Sequence, residues 1–251
     1  VIFKGQCCCE NQMQRVYNFM VLGQTGAGKT TFIDSYINFL TGVEFYDKFR
    51  YKLIDERKIH AEIRSQHAKA GHGGGSTQTR SLTSSVTIYH IPSTWIKKGL
   101  FREEGQYCIN IIDTPGFGDT RGLEQDQVIF KMIAETLKTL LTIDYILVVT
   151  PHNVNRLTAA AEHIFNTIQN LFAVDVIDRF VSMFTFSDGK LPLAVGAVKQ
   201  AGLKIDNYLK FNNSAIWEST DERSTLDFFN LGYSSYQEFG KFVAGENKAA
   251  V

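Results

Sequence analysis

Apolar runs separated by polar or glycine-rich stretches predict a sheet of buried strands. Each run is rich in aromatic and β-branched residues and stops at a glycine or a polar residue, which is typical of a strand covered on both faces. The five clearest runs are residues 15–22, 85–91, 107–112, 145–150 and 180–186. A shorter run at 208–211 is predicted as the last strand.

Other stretches space their apolar residues three or four positions apart, as one face of a helix requires. These stretches are residues 30–40, 123–141, 156–173 and 233–243. Strands that alternate with helices predict an α/β fold in three layers, with a mostly parallel central sheet and helices on both faces. Because the second and third apolar runs follow each other closely, we expect them to form a hairpin that places one antiparallel strand at the sheet edge.

The chain of 251 residues fits one large α/β domain. We assign this domain to residues 15–245, with an N-terminal extension at 1–14 and a C-terminal tail at 246–251. Residues 42–80 are polar and include the glycine-rich stretch 71–76, so they are predicted to form a long mobile insertion. Both ends are expected to be cut from a longer polypeptide.

Charge and cysteine content exclude several classes of protein. The 26 basic residues balance the 26 acidic ones, so overall charge gives no reason to expect a nucleic-acid partner. No apolar run approaches the roughly 18 residues that a membrane span needs. The four cysteines form no Cys-x-x-Cys pair, which favours a reducing, cytoplasmic setting. Lipid on the contiguous Cys7, Cys8 and Cys9 would allow peripheral membrane association, and this alternative stays open.

The strongest chemical signal is the sequence GQTGAGKT at 23–30, which matches the phosphate-loop pattern G-x-x-x-x-G-K-[ST]. It lies between a predicted strand and a predicted helix, where free backbone N–H groups and the helix dipole attract an anion. Lys29 is predicted to contact the β- and γ-phosphates during catalysis, and the Thr30 hydroxyl to bind Mg²⁺. The other predicted contacts of the loop are Gln24, Thr25, Gly26, Ala27, Gly28 and Thr31.

A second motif, DTPGFGD, follows the predicted strand at 107–112. Asp113 is predicted to hold Mg²⁺ through a water molecule, and the Gly116 N–H to contact the γ-phosphate during catalysis. A threonine from the preceding insertion should complete the magnesium site. Thr83 is the first choice because it lies three residues before Val86, and Thr77 and Thr79 are its rivals.

Two weaker signals suggest that the base is guanine. The sequence TFSD ends the strand at 180–186, and its Asp188 carboxylate is predicted to accept the guanine N1 and N2 hydrogens, which adenine lacks. The sequence NNSA at 212–215 follows the last predicted strand, and the Ala215 N–H is predicted to meet the guanine O6. The neighbouring residues Thr185, Phe186 and Ser214 are included in the predicted base site.

The motifs GQTGAGKT, DTPGFGDTRG, TFSDG and NNSA together resemble those of the septin-like GTPases of the translation-factor-related class, which include septins and the immunity-associated, AIG1-type GTPases. The resemblance covers residues 15–218. It implies a P-loop G domain that binds GTP, GDP and Mg²⁺, hydrolyses GTP as a switch, and is regulated by homodimerisation across the nucleotide face, with an unidentified protein effector. In septins a histidine after the fourth strand contacts the partner subunit, and immunity-associated GTPases carry an arginine in this segment. His152 and Arg156 are the matching candidates, and a capping or solvated role for His152 is the alternative.

Two departures from the family pattern bear on base recognition and on catalysis. Phe186 replaces the lysine of the usual guanine motif, so the base would rest on an aromatic ring and depend on Asp188. Phe117 replaces the glutamine that orients the attacking water in Ras-like enzymes, so intrinsic hydrolysis should be slow without a partner. A nucleotide-loaded scaffold with negligible hydrolysis is the main alternative, and an ATP-binding P-loop protein is a third.

Overall fold

The computed structural model describes residues 2–4, 15–53, 85–98, 107–118, 123–140, 142–156, 162, 166–167, 169–170, 178–202, 208–218 and 223–244. Its centre is a sheet of seven strands in the order β1-β3-β4-β2-β5-β6-β7. The strands are β1 (Ile2–Lys4), β2 (Arg15–Gly23), β3 (Thr87–Ile91), β4 (Tyr107–Asp113), β5 (Tyr145–Pro151), β6 (Phe180–Thr185) and β7 (Tyr208–Lys210). Every strand predicted from the sequence is therefore present, with bounds shifted by one or two residues.

The strand directions confirm a mostly parallel sheet with an antiparallel pair. β2 pairs in parallel with β4 and β5, and the series continues in parallel through β6 and β7. β3 runs antiparallel to β4, as the hairpin predicted. β1 was not predicted, and it pairs in parallel with β3, so Ile2–Lys4 occupies the outermost position that the sequence assigned to β3.

Four α-helices have bounds that lie within the described ranges, and the last of them follows the final strand. They are α1 (Lys29–Leu40), α2 (Leu123–Thr139), α3 (Ala194–Gln200) and α4 (Arg223–Val243). α3 was not predicted, and α4 begins ten residues before the predicted start at Tyr233. Residues 162, 166–167 and 169–170 are helical, in agreement with the helix predicted at 156–173. None of the helices in the described residues combines the length and the apolar character needed to cross a bilayer.

Both faces of the sheet are covered by helices. Phe19 and Val21 of β2 belong to an apolar cluster that includes side chains of α1 and α4. Met20 and Leu22, the alternating positions, belong to a second cluster that includes side chains of α2 and α3. This alternation explains why β2 is apolar on both faces, and the predicted three-layer arrangement is confirmed.

The first part of the predicted mobile insertion, residues 42–53, is bound to the body of the domain. Arg50 Nε donates to Ile216 O at 2.8 Å. Asn38 on α1 donates to Tyr51 O at 2.7 Å and accepts from Tyr51 N at 2.8 Å. These hydrogen bonds join residues 42–53 to the domain, and the mobility predicted for the insertion stays a prediction.

Several predictions concern positions outside the described residues and stay predictions. They concern Thr77, Thr79, Thr83, the glycine-rich stretch 71–76, the cysteines Cys7, Cys8 and Cys9, and the tail at 246–251. The assignment of residues 15–245 to the domain also stays a prediction.

Candidate nucleotide-binding site

The first residue of the loop between β2 and α1 has a backbone conformation and surroundings that only glycine tolerates. Gly23 has φ 156°, and a Cβ atom there would lie 2.4 Å from Val149 O of the neighbouring strand. At the other end of the loop, Gly28 is the N-cap of α1, and no side chain caps the helix there. The first N–H groups of α1 therefore have no side-chain acceptor, which is the arrangement that binds phosphate in many proteins.

The segment after β4 is joined to this loop by two backbone hydrogen bonds. Thr25 N donates to Phe117 O at 2.9 Å, and Phe117 N donates to Gly23 O at 3.3 Å. Gly116 lies so close that a Cβ atom there would be 2.6 Å from Thr25 Oγ1. The two motifs found in the sequence are thus in contact, and the segment around Gly116 borders the phosphate loop.

Lys29 is a buried cation in the first turn of α1. Its side chain is 8% exposed, and Nζ donates to Gly23 O at 2.9 Å and to Gln24 O at 3.0 Å. Burial lowers the pKa of Lys29 to about 8, although the negative charge of Asp113 opposes this shift. Lys29 is consequently charged at neutral pH, and two carbonyl oxygens of the loop hold its ammonium group.

Asp113 ends β4 directly beside the phosphate loop. It pairs in register with Val21, two residues before Gly23, and is 1% exposed. Thr30, in the first turn of α1, is half-buried. A carboxylate and a hydroxyl are ligands that Mg²⁺ accepts, and nucleotide phosphates usually supply further oxygens. Within the described residues there is no group of three or more His, Cys, Asp or Glu side chains that could hold a metal ion.

Phe117 occupies the position where Ras-like enzymes have a glutamine, and its side chain is part of the core. It is fully buried and stacks on Phe130 of α2, with ring centroids 5.0 Å apart and an interplanar angle of 19°. A side chain packed under the sheet in this way cannot orient a water molecule at the phosphates. The expectation that intrinsic hydrolysis is slow without a partner stays a prediction.

A cavity of about 360 Å³ lies beside the phosphate loop. Its volume is within the range of roughly 300–1,000 Å³ found for ligand pockets. Predicted site residues in its wall are Gly28, Thr31, Thr185, Phe186 and Ser214. Three further wall residues, Asn213, Trp217 and Glu218, were not predicted as site residues. Asn213 lies within the NNSA motif, and Trp217 and Glu218 follow it closely. An aromatic residue and a carboxylate next to this motif are the sequence signal that could have identified them.

Phe186 has a backbone conformation that residues other than glycine rarely adopt. Its φ is 56°, the one positive value for a non-glycine residue in the described ranges, and the side chain is 56% exposed. The preceding residue, Thr185, donates from Oγ1 to Ala27 O at 2.7 Å, which joins the end of β6 to the phosphate loop. A strained, exposed aromatic ring in a cavity wall is typical of a binding site.

Asp188 lies outside the wall of this cavity. Its Oδ1 accepts from Lys190 N at 3.0 Å and lies 3.3 Å from His152 Nε2, while Oδ2 lies 3.6 Å from Lys190 Nζ. The Lys190 N–H is the first cause that lowers the pKa of Asp188, so this group is a carboxylate at neutral pH. Asp188 is not among the described residues that line the cavity.

The other predicted residues of the base site and dimer contact are also placed. Ala215 is 1% exposed, and its N–H donates to Asn212 O at 3.4 Å. Ala215 is not among the described residues that line the cavity. His152 is 7% exposed and contacts Asp188 of its own chain, so little of its ring is accessible to a second subunit. Arg156 is exposed.

The sheet order, the phosphate loop and the adjacent cavity define a P-loop nucleotide-binding fold. A family model confirms the class more narrowly, since the AIG1 family matches residues 83–217, which is more than half of the chain. The chain belongs to the AIG1 family of P-loop GTPases. The matched residues include the second motif and both parts of the predicted base site.

Solved structures similar to the chain are those of Toc33 from Arabidopsis thaliana. A dimerization-deficient mutant and a complex with GDP and Mg²⁺ each have a TM-score of 0.53 and 14% identity, covering 93% of this chain and 86% of that one. A complex with Mg²⁺ and GMPPNP has a TM-score of 0.50 and 14% identity, covering 94% and 87%. At this identity the likeness supports the fold. No curated protein sequence matches the chain significantly.

Replacing Phe186 by glycine should separate stability from binding. Glycine adopts φ 56° without strain, so the free energy of unfolding should rise by about 1 kcal/mol. Loss of the exposed ring should weaken GDP binding about tenfold, because stacking on a base contributes roughly 1–3 kcal/mol. Chemical denaturation and competition against a fluorescent GDP analogue measure the two effects.

Leu191→Gly is the matched control for this substitution. Leu191 is 72% exposed, and its φ is not positive, since Phe186 is the one described non-glycine residue with a positive φ. Glycine at 191 relieves no strain and should lower the free energy of unfolding by roughly 0.5–1 kcal/mol. A loss of stability in Phe186→Gly equal to that of the control would contradict the assigned strain.

Proposed function

We propose that this protein binds GTP and GDP and hydrolyses GTP to GDP and phosphate with Mg²⁺, as a switch. The observation that carries the proposal is that the phosphate loop and the cavity are adjacent. The phosphate loop that contains the buried Lys29 ammonium and the 360 Å³ cavity share Gly28, so the phosphates and the base of one nucleotide could occupy them together. Membership of the AIG1 family supports the same activity.

In this proposal the chain binds the phosphates through its backbone and one cation. Several N–H groups of the loop between Gly26 and Thr31 surround the β-phosphate, whereas the Thr25 N–H donates to Phe117 O. Lys29 exchanges its carbonyl contacts for phosphate oxygens. The Gly116 N–H contacts the γ-phosphate. Thr30 and Asp113 would hold Mg²⁺ with the phosphates, and Thr83 would complete the set. The ion supplies positive charge that neutralises the negative charge developing during phosphoryl transfer.

Hydrolysis by the isolated subunit should be slow, and a second subunit should accelerate it. Phe117 is buried against Phe130, so the segment after Gly116 offers no side chain at that position to orient water. A group supplied across the nucleotide face of a homodimer could fill this role. Arg156 is the stronger candidate, because it is exposed whereas His152 is buried. The existence of a dimerization-deficient mutant of the structurally similar Toc33 makes such a dimer worth testing.

Identification of the nucleotide that copurifies with the protein tests the binding proposal. Mass spectrometry of the denatured protein should find GDP or GTP, and added ATP should not displace it. Single-turnover hydrolysis of GTP, measured at rising protein concentration, then tests the chemistry. The rate constant should increase with concentration if a dimer completes the site. Absence of any guanine nucleotide, together with equal competition by ATP and GTP, would refute the proposal.

A nucleotide-loaded scaffold is the second candidate, and the burial of Phe117 is the observation that favours it. Such a protein would retain the phosphate contacts and assemble with partners while hydrolysing almost no GTP. A single-turnover rate equal to the solution background at every protein concentration would support this candidate. Retention of Lys29, Thr30 and Asp113 favours the GTPase.

Affinity for GDP should fall as the pH rises through about 8. The pKa of Lys29 is lowered to about 8 by burial, so the ammonium is charged below this pH and neutral above it. Because phosphate attracts only the charged form, one pH unit above the pKa should reduce affinity about tenfold. Isothermal titration calorimetry across pH 7–9 measures both the affinity and the matching uptake of a proton.

Lys29→Arg is the control for this pH dependence, since a guanidinium stays charged throughout the range. Any ionisation of the nucleotide itself affects both proteins equally and cancels in the comparison. If the affinity of Lys29→Arg declines with pH as steeply as that of the parent, Lys29 is not the titrating group.

A further inference from the structure

A buried donor without an acceptor lies in the wall of the cavity. Asn213 is 7% exposed and lines the cavity. Its Nδ2 has no hydrogen-bond partner among the described residues, whereas its Oδ1 accepts from the Tyr236 hydroxyl at 3.0 Å. A buried N–H group that lacks an acceptor is costly, so a ligand that offers an oxygen at this point would be bound more tightly.

The orientation of the Asn213 amide follows from its neighbour. Tyr236 is fully buried, and burial keeps the pKa of its hydroxyl far above the usual value, so the group retains its proton and acts as a donor. The hydroxyl lies 3.0 Å from Asn213 Oδ1 and 3.4 Å from Phe32 O, so the amide oxygen of Asn213 is the nearer acceptor of its one proton. The amide nitrogen is then the atom that remains for a ligand in the cavity.

Glu218 provides the complementary chemistry in the same wall. It is the one charged side chain among the described residues that line the cavity. Thr225 Oγ1 donates to its Oε2 at 3.2 Å, which restrains the carboxylate. A carboxylate accepts two parallel N–H groups, and an amide nitrogen donates to a carbonyl oxygen. Guanine presents this pattern on one edge, with O6 next to N1–H and the 2-amino group. Adenine presents an amino group and an unprotonated N1 instead.

Two exposed aromatic rings complete the cavity. Phe186 and Trp217 both line it and are 56% and 38% exposed. The backbone N–H of Trp217 donates to Ser214 O at 2.9 Å, and Lys52 Nζ lies 5.4 Å from the centroid of the Trp217 ring. Flat apolar rings of this kind bind the faces of a nucleobase, and the polar groups between them read its edge.

We propose that Glu218 and Asn213 read the guanine edge in this chain, in place of Asp188. The proposal rests on the proposed function, since it assigns the base contacts of the same nucleotide. Asp188 is not among the described lining residues, and Lys190 and His152 already contact its carboxylate. Glu218 accepts from N1–H and the 2-amino group, and Asn213 donates from Nδ2 to O6.

Glu218→Gln tests the assignment through the choice of base. Xanthine carries a carbonyl where guanine has the 2-amino group, so the glutamine amide can donate to it. Competition against a fluorescent GDP analogue should show GDP binding at least tenfold more weakly, and xanthosine diphosphate binding more tightly than in the parent. Inosine diphosphate lacks the 2-amino group, so the parent should prefer GDP to it about tenfold, and the variant should not.

Two further variants give the comparison its controls. Glu238→Gln removes an exposed carboxylate on α4 by the same chemical change and should keep the parent's preference for GDP. Asp188→Asn should also keep that preference. A switch to xanthosine diphosphate in Asp188→Asn, with none in Glu218→Gln, would overturn the proposal.

Asn213→Asp tests the second contact of the proposal. It should weaken GDP binding at least tenfold by placing a carboxylate against O6, and unchanged GDP affinity in this variant would equally count against the proposal.

Failure of this inference is distinguishable from failure of the proposed function. If the parent protein binds GDP and the Glu218→Gln variant keeps the parent's discrimination among GDP, inosine diphosphate and xanthosine diphosphate, the assignment of Glu218 is wrong while nucleotide binding stands. If the parent binds none of the three diphosphates, both proposals are wrong.

Discussion

Replacing Lys29 by alanine should weaken GTP binding at least a hundredfold. The ammonium group is 8% exposed and now contacts two loop carbonyls, so phosphate oxygens would meet it away from bulk water. Charge-assisted hydrogen bonds contribute about 1.5–3 kcal/mol each, and two of them correspond to two orders of magnitude or more in affinity. Isothermal titration calorimetry with GTP and Mg²⁺ measures the loss.

Lys199→Ala provides the comparison for this substitution. Lys199 is an exposed lysine on α3, so its loss changes the net charge equally without affecting the loop. Circular dichroism should show both variants folded at 25 °C. Should Lys29→Ala bind GTP within threefold of the parent while folded, the loop at 23–30 would not be the phosphate site.

Substitution of Gly23 by alanine should be the most destabilising single change in the loop. The new Cβ atom would lie 2.4 Å from Val149 O, and the backbone carbonyl cannot move without breaking the pairing of β2 with β5. Overpacking and an unfavourable φ of 156° together should cost about 3–5 kcal/mol. For a domain of this size we expect a decrease in Tm of about 10 °C in thermal unfolding.

Gly196→Ala is the matched glycine substitution. Gly196 lies in α3 with no atom within 4 Å of the position of its Cβ, so alanine should leave the domain unchanged or stabilise it by up to about 1 kcal/mol. Equal melting temperatures for the two variants would contradict the proposed clash with Val149 O.

Local sequence patterns were sufficient for the elements that contain the phosphate loop. The apolar run of β2 stops at Gly23 and the helical spacing begins near Lys29, because a strand and a helix differ in the period of their apolar positions. β3 and β4 follow each other closely in the chain, so their antiparallel pairing could be predicted from sequence order.

Features that depend on distant contacts were missed. β1 has only three residues, which is too few to show a period, and it is defined by pairing with β3 from Ile2↔Thr87 to Lys4↔Tyr89. α4 continues through Gly232, a residue that usually marks the end of a helix. A Cβ atom at Gly232 would make only an ordinary contact, 4.0 Å from Asn213 Oδ1, so packing against residues 213–216 does not itself require glycine.

The cavity beside the phosphate loop also depends on contacts that the sequence does not reveal. Asn213, Trp217 and Glu218 are adjacent to a recognisable motif, but the sequence does not reveal which of their atoms point inward. The orientation of Asn213 is set by Tyr236, which comes from another element more than twenty residues later. The predicted base site therefore includes three residues of the cavity wall, Thr185, Phe186 and Ser214, and omits the other residues near the NNSA motif that line it.

The outer position of β1 has a practical consequence for handling the protein. Without the strand Ile2–Lys4, the backbone N–H and C=O groups on the far side of β3 would be unpaired. Such groups readily pair with strands of other molecules, which leads to aggregation or strand exchange. Shortened versions that begin at the phosphate-loop strand should thus precipitate more readily, and their self-association could be mistaken for dimerisation driven by nucleotide.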